Sequence, residues 1–244
     1  MIAPAPAAAT TIDVVIPCYN AARFLGQALD SVFAQGQPGL QVILIDDGST
    51  DDCAAVARPY GARVQLQTQA NAGIAAARNA GIQRSRADWL AFLDADDVWT
   101  AGSLAARLAR FAQAPSTDIV FGRLEQFHSA ELDAAARARL PFDAAPADAR
   151  FAGTLLARRA SFMRAGLFDT GLKVGEMIEW VSRAQAVPLV IEQIPHISMR
   201  RRIHGNNTML RQAPGHGDYL RALKLSIDRK RAQQARAAAA PGAA

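Results

Sequence analysis

Cysteine is scarce in this sequence: Cys18 and Cys53 are the two present in 244 residues. Two cysteines cannot build a disulfide framework, and neither lies in a Cys-x-x-Cys pair. A reduced, cytoplasmic compartment is therefore the expected setting, and Cys18 reads as a small buried residue rather than a reactive thiol. Apolar runs are short, none approaching the roughly 18 residues of a membrane-spanning helix, which argues against an integral membrane protein. The first nine residues carry alanine and proline but no basic stretch, so no secretory leader is expected. Aromatics make up 7% of the chain and form no stripe among basic residues, which argues against a nucleic-acid-binding module. Neither G-x-G-x-x-G nor G-x-x-x-x-G-K-[ST] follows the first apolar run, so the usual dinucleotide and P-loop chemistries are disfavoured.

What is present suits one large domain or a domain with a small appendage. Half of the residues are hydrophobic and a fifth are charged, enough apolar material for one sizeable core. The net charge of +5 is unevenly spread: from His196 onward there are ten Lys or Arg against two Asp, and before it 17 against 20. A basic C-terminal part on a mildly acidic body suits an anionic partner, while Arg229, Lys230 and Arg231 read equally well as a solvated helix end.

Apolar and helical patterns alternate along the chain. Residues 12–17 read as a buried strand and 22–34 as a helix with Leu25, Leu29, Val32 and Phe33 on one face. Residues 42–45 are a second strand, with Ser49 or Thr50 able to cap a short helix after it. Residues 64–66 are a weak strand, 73–84 a helix, 89–93 a strong strand that stops at Asp94, and helical spacing resumes at Leu104, Leu108 and Phe111. Further strands are expected at 119–122 and 190–194, helices at 161–165 and 176–186, and a helix plus irregular connection over 129–150. An amphipathic helix is expected over 218–231, with Leu220, Leu223 and Ile227 docking on the body. Residues 1–10 and 235–244 read as disordered tails. This order predicts an α/β domain with a largely parallel sheet, whose ligands sit beyond the carboxyl ends of the strands. The polar residues that end the first three strong runs then share one edge.

Asp94-Ala95-Asp96-Asp97 places three carboxylates where they repel one another unless a cation neutralises them. Such oxygen ligands suit Mg²⁺ or Mn²⁺ with phosphate oxygens completing the shell; the alternative is N-capping of the next helix. Asp46-Asp47-Gly48-Ser49 suits a base edge or ribose hydroxyls, or an ordinary Asp-Gly turn. Arg78, on the helix after Gly73, suits a phosphate or base edge, or an ion pair with a strand-end Asp.

Taken in register, Val14-Val15-Ile16-Pro17-Cys18-Tyr19-Asn20, Ile45-Asp46-Asp47-Gly48-Ser49-Thr50-Asp51, Asn71-x-Gly73 with Ala77-Arg78-Asn79-x-Gly81-Ile82, and Phe92-Leu93-Asp94-Ala95-Asp96-Asp97 resemble glycosyltransferase family 2 across roughly the first 100 residues. The resemblance implies a GT-A fold: a Rossmann-like, mostly parallel sheet flanked by helices, here one domain (11–207) with a basic C-terminal helical extension (208–234). Within it, 11–122 would bind the nucleotide sugar and 123–207 the acceptor. It implies an inverting, metal-dependent transfer from a nucleotide-diphosphate sugar, UDP-linked by expectation, to an acceptor hydroxyl on a glycan, lipid carrier, peptide or small molecule.

Carried over residue by residue, the resemblance assigns Pro17, Tyr19, Asp46 and Asp47 to the nucleoside. It maps the Asp-x-Asp motif onto Asp94 and Asp96 as metal ligands, with Asp96 favoured over Asp94. The family's base segment falls on Gly175-Glu176-Met177-Ile178-Glu179, with Met177 where the family most often has Asp, so Glu176 or Glu179 would supply the base and Glu176 is favoured. Arg201 and Arg202 would add charge to the diphosphate, and His204 would reach the metal or the diphosphate. Mn²⁺ or Mg²⁺ is the expected cofactor, no nucleic-acid partner is expected, and peripheral membrane contact stays open. The alternative is a catalytically impaired relative that binds nucleotide or a partner.

Overall fold

In the computed structural model of the protein, the residues described are 10–140, 143, 145–205, 207 and 216–239. Residues 1–9 and 240–244 of the expected tails lie outside them, as do residues 208–215 of the expected helical extension.

The first apolar run forms β1 (Ile12–Cys18), with every residue buried. It leads into α1 (Ala22–Phe33), whose Phe24, Leu25, Ala28, Leu29 and Val32 are buried on one side. Then follow β2 (Leu40–Asp46), the five-residue α2 (Cys53–Ala57), β3 (Val64–Thr68), α3 (Ile74–Arg84), β4 (Trp89–Phe92), β5 (Val98–Trp99) and α4 (Ser103–Gln113). The second half contributes β6 (Ile119–His128), α5 (Ala134–Arg139), β7 (Leu155–Arg158), α6 (Arg159–Ala165), α7 (Glu176–Ala184), β8 (Ile191–Ile203) and α8 (His216–Ala239).

The strands form one eight-stranded sheet in the order β3-β2-β1-β4-β7-β6-β8-β5. From β3 to β4 it is parallel, as expected. Beyond β4 it is mixed: β7 runs antiparallel to both β4 and β6, β8 is parallel to β6, and β5 is antiparallel to β8. The two strands absent from the sequence reading, β5 and β7, are two and four residues long. Runs that short carry too little periodicity to stand out from the helices beside them.

Apolar side chains pack on both faces of the sheet. Val14, Ile16, Leu25, Leu29, Leu44, Leu104 and Phe111 belong to one cluster. Val15, Ile82, Phe92, Phe162, Phe168 and Trp180 belong to another, as the period-two alternation of β1 requires. Gly81 lets α3 lie directly on β1, since a Cβ there would meet Val15 Cγ1 at 2.4 Å.

Several local expectations are corrected. Asp52, not Ser49 or Thr50, caps α2, accepting from Ala55 N–H. The strand expected at 190–194 runs on to Ile203, so the arginine cluster 200–202 lies at the end of the 13-residue β8. Its guanidinium groups lie over aromatic rings: Arg200 and Arg202 over Phe127 and Arg201 over Phe151, which favours the charged groups on the strand. The final helix runs to Ala239, through the start of the expected tail. Its apolar residues do not dock as expected: Leu220 is 64% and Ile227 49% exposed, whereas Ala222 is fully buried. The small pair Gly175 and Ala222 sets the approach, because a Cβ on Gly175 would sit 3.0 Å from Ala222 Cβ. Leu220 and Ile227 are turned to solvent, while Leu223 is half-buried.

Candidate active site

The strand order turns back at β1, with β2 on one side and β4 on the other. Ligands of open α/β sheets gather at such a point, beyond the carboxyl ends of the strands. Cys18-Tyr19-Asn20, Asp46-Asp47 and Asp94 all end parallel strands there.

Pro17 is buried within β1 opposite Ile45. It is tolerated in a central strand because the β4 pairing ends at Val15, two residues earlier. Pro17 therefore backs the edge, whereas Tyr19 is 54% exposed on it. Asn20 has φ 51°, and its left-handed turn ties the edge together. Its N–H donates to Ser49 Oγ at 3.0 Å, and its Oδ1 accepts from Thr50 N–H at 2.8 Å. Asp51 Oδ2 accepts from Ala22 N–H at 2.8 Å, so the neighbouring loop caps α1.

The two acidic residues after β2 differ in their duties. Asp46 Oδ1 accepts from Ser49 N–H at 2.9 Å, shaping the turn. Both oxygens of Asp47 are engaged: Oδ1 accepts from Gln69 Nε2 and Ala72 N–H, and Oδ2 from Gly73 N–H at 2.8 Å. Asp47 thus secures the N-terminus of α3, a position favoured by the helix dipole.

Arg78 is 2% exposed and joins two halves of the chain. It donates through Nη2 to Asp94 Oδ1 at 2.6 Å and through Nη1 to Glu176 Oε1 at 2.5 Å. Burial pulls its pKa down, but the Asp94 and Glu176 carboxylates outweigh burial and raise it. Next to it, Asn79 makes a reciprocal pair with the Phe168 backbone, 2.9 Å each way, and so fixes the segment that delivers α7. Met177, at the position expected to be acidic, is buried in the core cluster with Trp180 and Val181; the helix turns that residue inward and Glu176 towards Arg78. Glu179 is turned elsewhere. Arg183 Nε donates to both its oxygens at 2.9 Å and Arg229 Nη2 to Oε1 at 3.1 Å. The structure joins Glu176, and not Glu179, to the strand-end carboxylates.

Asp96 Oδ2 lies 3.0 Å from His204 Nε2. Arg23 Nη2, 3.4 Å from His204 Nδ1, can only donate, so that geometry assigns the ring proton to Nε2 and makes His204 the donor to Asp96. Asn207 braces the histidine: His204 N–H donates to Asn207 Oδ1, and Asn207 Nδ2 donates to Arg202 O. The neighbouring Asn206 is outside the described residues. Asp97 is buried, and burial, with Asp96 and Asp94 beside it, holds its carboxyl well above the usual range. Its Oδ1 accepts from Arg202 N–H at 2.8 Å. Arg202 spends its side chain on the fold, donating to Asp96 O and Gln27 Oε1 and lying over the Phe24 ring. Arg201 points to the opposite face of β8, over Phe151; the two arginines do not form one anion grip, because neighbouring strand residues alternate faces.

The helix-capping alternative for Asp94–Asp97 is not realised, since α4 starts from Gly102 without a side-chain cap. Asp94 and Asp96 are 30% and 28% exposed at their side chains. Each keeps one carboxylate oxygen, Oδ2 and Oδ1 respectively, unpartnered among the described residues. Among those residues, no group of three or more His, Cys, Asp or Glu is already gathered for a metal. The donor set nevertheless fits Mg²⁺ or Mn²⁺, which take one or two carboxylates and complete the shell with water and phosphate oxygens. Asn20 and Asn207 carried no role of their own in the sequence reading, and Asp97 entered it only as one of three strand-end carboxylates; the left-handed preference of Asn after a strand end hints at Asn20. No described helix is long and apolar enough to cross a membrane.

Residues 13–169 match the family model described as Glycosyl transferase family 2. Among curated relatives, 112 residues are 32% identical to the uncharacterized glycosyltransferase EpsJ of Bacillus subtilis, covering 45% of this chain and 32% of that protein. Over 89 residues the chain is 40% identical to the uncharacterized glycosyltransferase YibD of Escherichia coli, covering 35% and 26% of the two. Over 123 residues it is 29% identical to the glycosyltransferase GlyA of Streptococcus pneumoniae, covering 49% and 18%. The chain thus spans about a third or less of the curated relatives it matches. Among solved structures, TarS 1-349 of S. aureus in complex with UDP-GlcNAc superposes with a TM-score of 0.73 at 16% identity, covering 90% of this chain and 66% of that one. At that identity the likeness is one of fold, and it is the GT-A-like fold that the sequence resemblance implied.

Proposed function

This chain belongs to glycosyl transferase family 2, and on that premise we propose that it transfers a sugar from a nucleoside-diphosphate donor to an acceptor hydroxyl, with inversion at the anomeric carbon. The observation that carries the proposal is the buried Arg78, which ties the Asp94 carboxylate at the end of β4 to Glu176 at the start of α7. A donor-side carboxylate and a basic group are thereby held on one sheet edge.

In this reading Glu176 is the general base. Arg78 occupies its Oε1, leaving Oε2 to take the acceptor proton as the hydroxyl oxygen attacks the anomeric carbon. Attack from the side opposite the departing diphosphate inverts that carbon. Tyr19, exposed beyond β1, and Asp46 line the nucleoside side, while Asp47 and Arg78 orient the surrounding backbone and carboxylates. Asp94 and Asp96, with His204 orienting Asp96, would hold Mg²⁺ or Mn²⁺, which supplies positive charge to offset the departing diphosphate. UDP is the proposed nucleotide, supported by the UDP-GlcNAc and UDP complexes of the TarS fold relative. Residues 11–122 form the donor half and 123–207 the acceptor half; the acceptor is a glycan, lipid carrier, peptide or small molecule, reached on the cytoplasmic side.

The test is a thermal-shift panel of nucleoside diphosphates and UDP-sugars with and without Mn²⁺, followed by a donor-turnover assay with the active donor. Stabilisation by UDP that requires Mn²⁺, and turnover lost in Glu176→Gln, are expected. No stabilisation by any nucleotide at millimolar concentration overturns the reading.

A further inference from the structure

Cys18 ends β1 and Cys53 begins α2, 35 residues later, yet their sulfurs lie 2.6 Å apart. Both side chains are buried, at 1% and 0% exposure, in the same core cluster. They are the only cysteines in the chain, so no other internal thiol competes for either. A disulfide needs an S–S separation of about 2.05 Å, and the sulfurs already face each other from a strand end and a helix start. The surroundings are not an inert apolar pocket: Cys53 Sγ also lies 3.1 Å from Asp51 Oδ1, in the loop that caps α1.

We propose that Cys18 and Cys53 are a modification site, a thiol pair that closes to an intramolecular disulfide under a small-molecule disulfide oxidant such as oxidised glutathione. Cys53 is the first nucleophile. The hydrogen bond from Cys18 is the largest influence on it and lowers its pKa, while the same bond, followed by burial, pushes Cys18 up. The Cys53 thiolate attacks one sulfur of the oxidant, forming a mixed disulfide and expelling one glutathione thiolate. The Cys18 thiolate then attacks Cys53 Sγ, forms the Sγ–Sγ bond and expels the second glutathione thiolate. The two protein thiol protons pass through solvent to the departing thiolates. The protein loses two electrons and the oxidant becomes two thiols.

Access comes from α2, which has five residues and so little helix of its own to lose when it opens locally. Once made, the bond staples the Tyr19–Asn20 edge to the Ser49–Asp51 turn. Those segments already share the Asn20–Ser49 and Asn20–Thr50 hydrogen bonds, so the closed form keeps the native edge and rigidifies it.

The full chain is equilibrated in a series of reduced to oxidised glutathione ratios, trapped with an alkylating agent and mapped as peptides without reduction. The expected species is a monomer lighter by two hydrogens, with the Cys18 and Cys53 peptides joined and dithiothreitol restoring both thiols. It should melt on the order of 10 °C higher than the reduced form, because the bridge restricts the unfolded chain. In Cys18→Ser the reaction should stop at a glutathione adduct on Cys53. The proposal is overturned if both native thiols stay free under ratios that oxidise the urea-unfolded chain, or if oxidation yields only glutathione adducts or linked dimers. Should the serine variant fail to fold, the wild-type peptide map decides alone.

Discussion

His204 Nε2 lies 3.0 Å from Asp96 Oδ2, although 108 residues separate the two along the chain. The contact joins the end of the β4 loop to the end of β8 and orients one of the two carboxylates proposed to hold the metal. A histidine that donates to a ligating carboxylate fixes its orientation, and removing such a partner typically weakens metal binding about 10–100-fold. His204→Ala should therefore weaken Mn²⁺-dependent UDP binding by that factor, measured by titration calorimetry. Asp96→Ala should abolish the Mn²⁺ dependence while far-ultraviolet circular dichroism stays unchanged. Equal Mn²⁺ dependence in Asp96→Ala and wild type would remove Asp96 from the metal.

Glu176 and Glu179 separate into two roles by their partners. Glu176→Gln should lower turnover by roughly 10²–10⁴-fold with donor affinity nearly unchanged, since only basicity is removed. Glu179→Gln should retain turnover per folded molecule but destabilise the protein. It leaves Arg183 and Arg229 facing a neutral amide beside a buried site, a change worth a few kcal/mol. Steady-state kinetics with denaturant melts of both variants checks the division, and a dead but stable Glu179→Gln would reverse it.

Arg229 ties the last helix to the buried Glu179, whereas Leu220 and Ile227 lie exposed. Arg229→Ala should lower stability by about 1–2 kcal/mol, as expected for a charge-assisted hydrogen bond to a buried carboxylate. Lys230→Ala and Arg231→Ala are both on the exposed side and should stay within about 0.5 kcal/mol of wild type. Urea titrations of the three variants make the comparison; equal small effects would show that the Arg229–Glu179 pair does not anchor α8.

Tyr60 gives a pH signature. Burial, and then the hydrogen bond to Asp30, push its hydroxyl up to about 12. Since its folded pKa lies above the ordinary value near 10, its contribution to stability is complete below pH 10 and is lost as the pH rises towards 12. Absorbance at the tyrosinate band should show a late phase that Tyr60→Phe deletes. A titration curve that Tyr60→Phe leaves unchanged above about pH 11 contradicts the assignment.

Much of the first half of the chain was legible because its signals are local. Apolar runs at 12–17, 42–45 and 89–93 became β1, β2 and β4 within two residues at each end, and polar residues close or follow each run: Tyr19 and Asn20, Asp46 and Asp47, and Asp94. The second half was harder to read. The strand pattern at 190–194 does not reach the arginines 200–202, which β8 carries over Phe127 and Phe151, and Leu220 and Ile227 look like a docking face until Gly175 and Ala222 set the contact.

By itself the sequence determined the alternation of strands and helices and the cluster of carboxylates at their carboxyl ends, since hydrophobic period and strand termination depend on neighbours a few residues away. It also determined which residues are chemically able to bind metal or move a proton. Tertiary structure decided which of them meet. Arg78 joins Glu176 across 98 residues, Cys18 meets Cys53 across 35, and Glu179, three residues from Glu176, is drawn instead to Arg183 and Arg229. Such pairings depend on strand order, helix direction and the side of each element that faces the core. They arise from packing of the whole chain, and no local pattern encodes them.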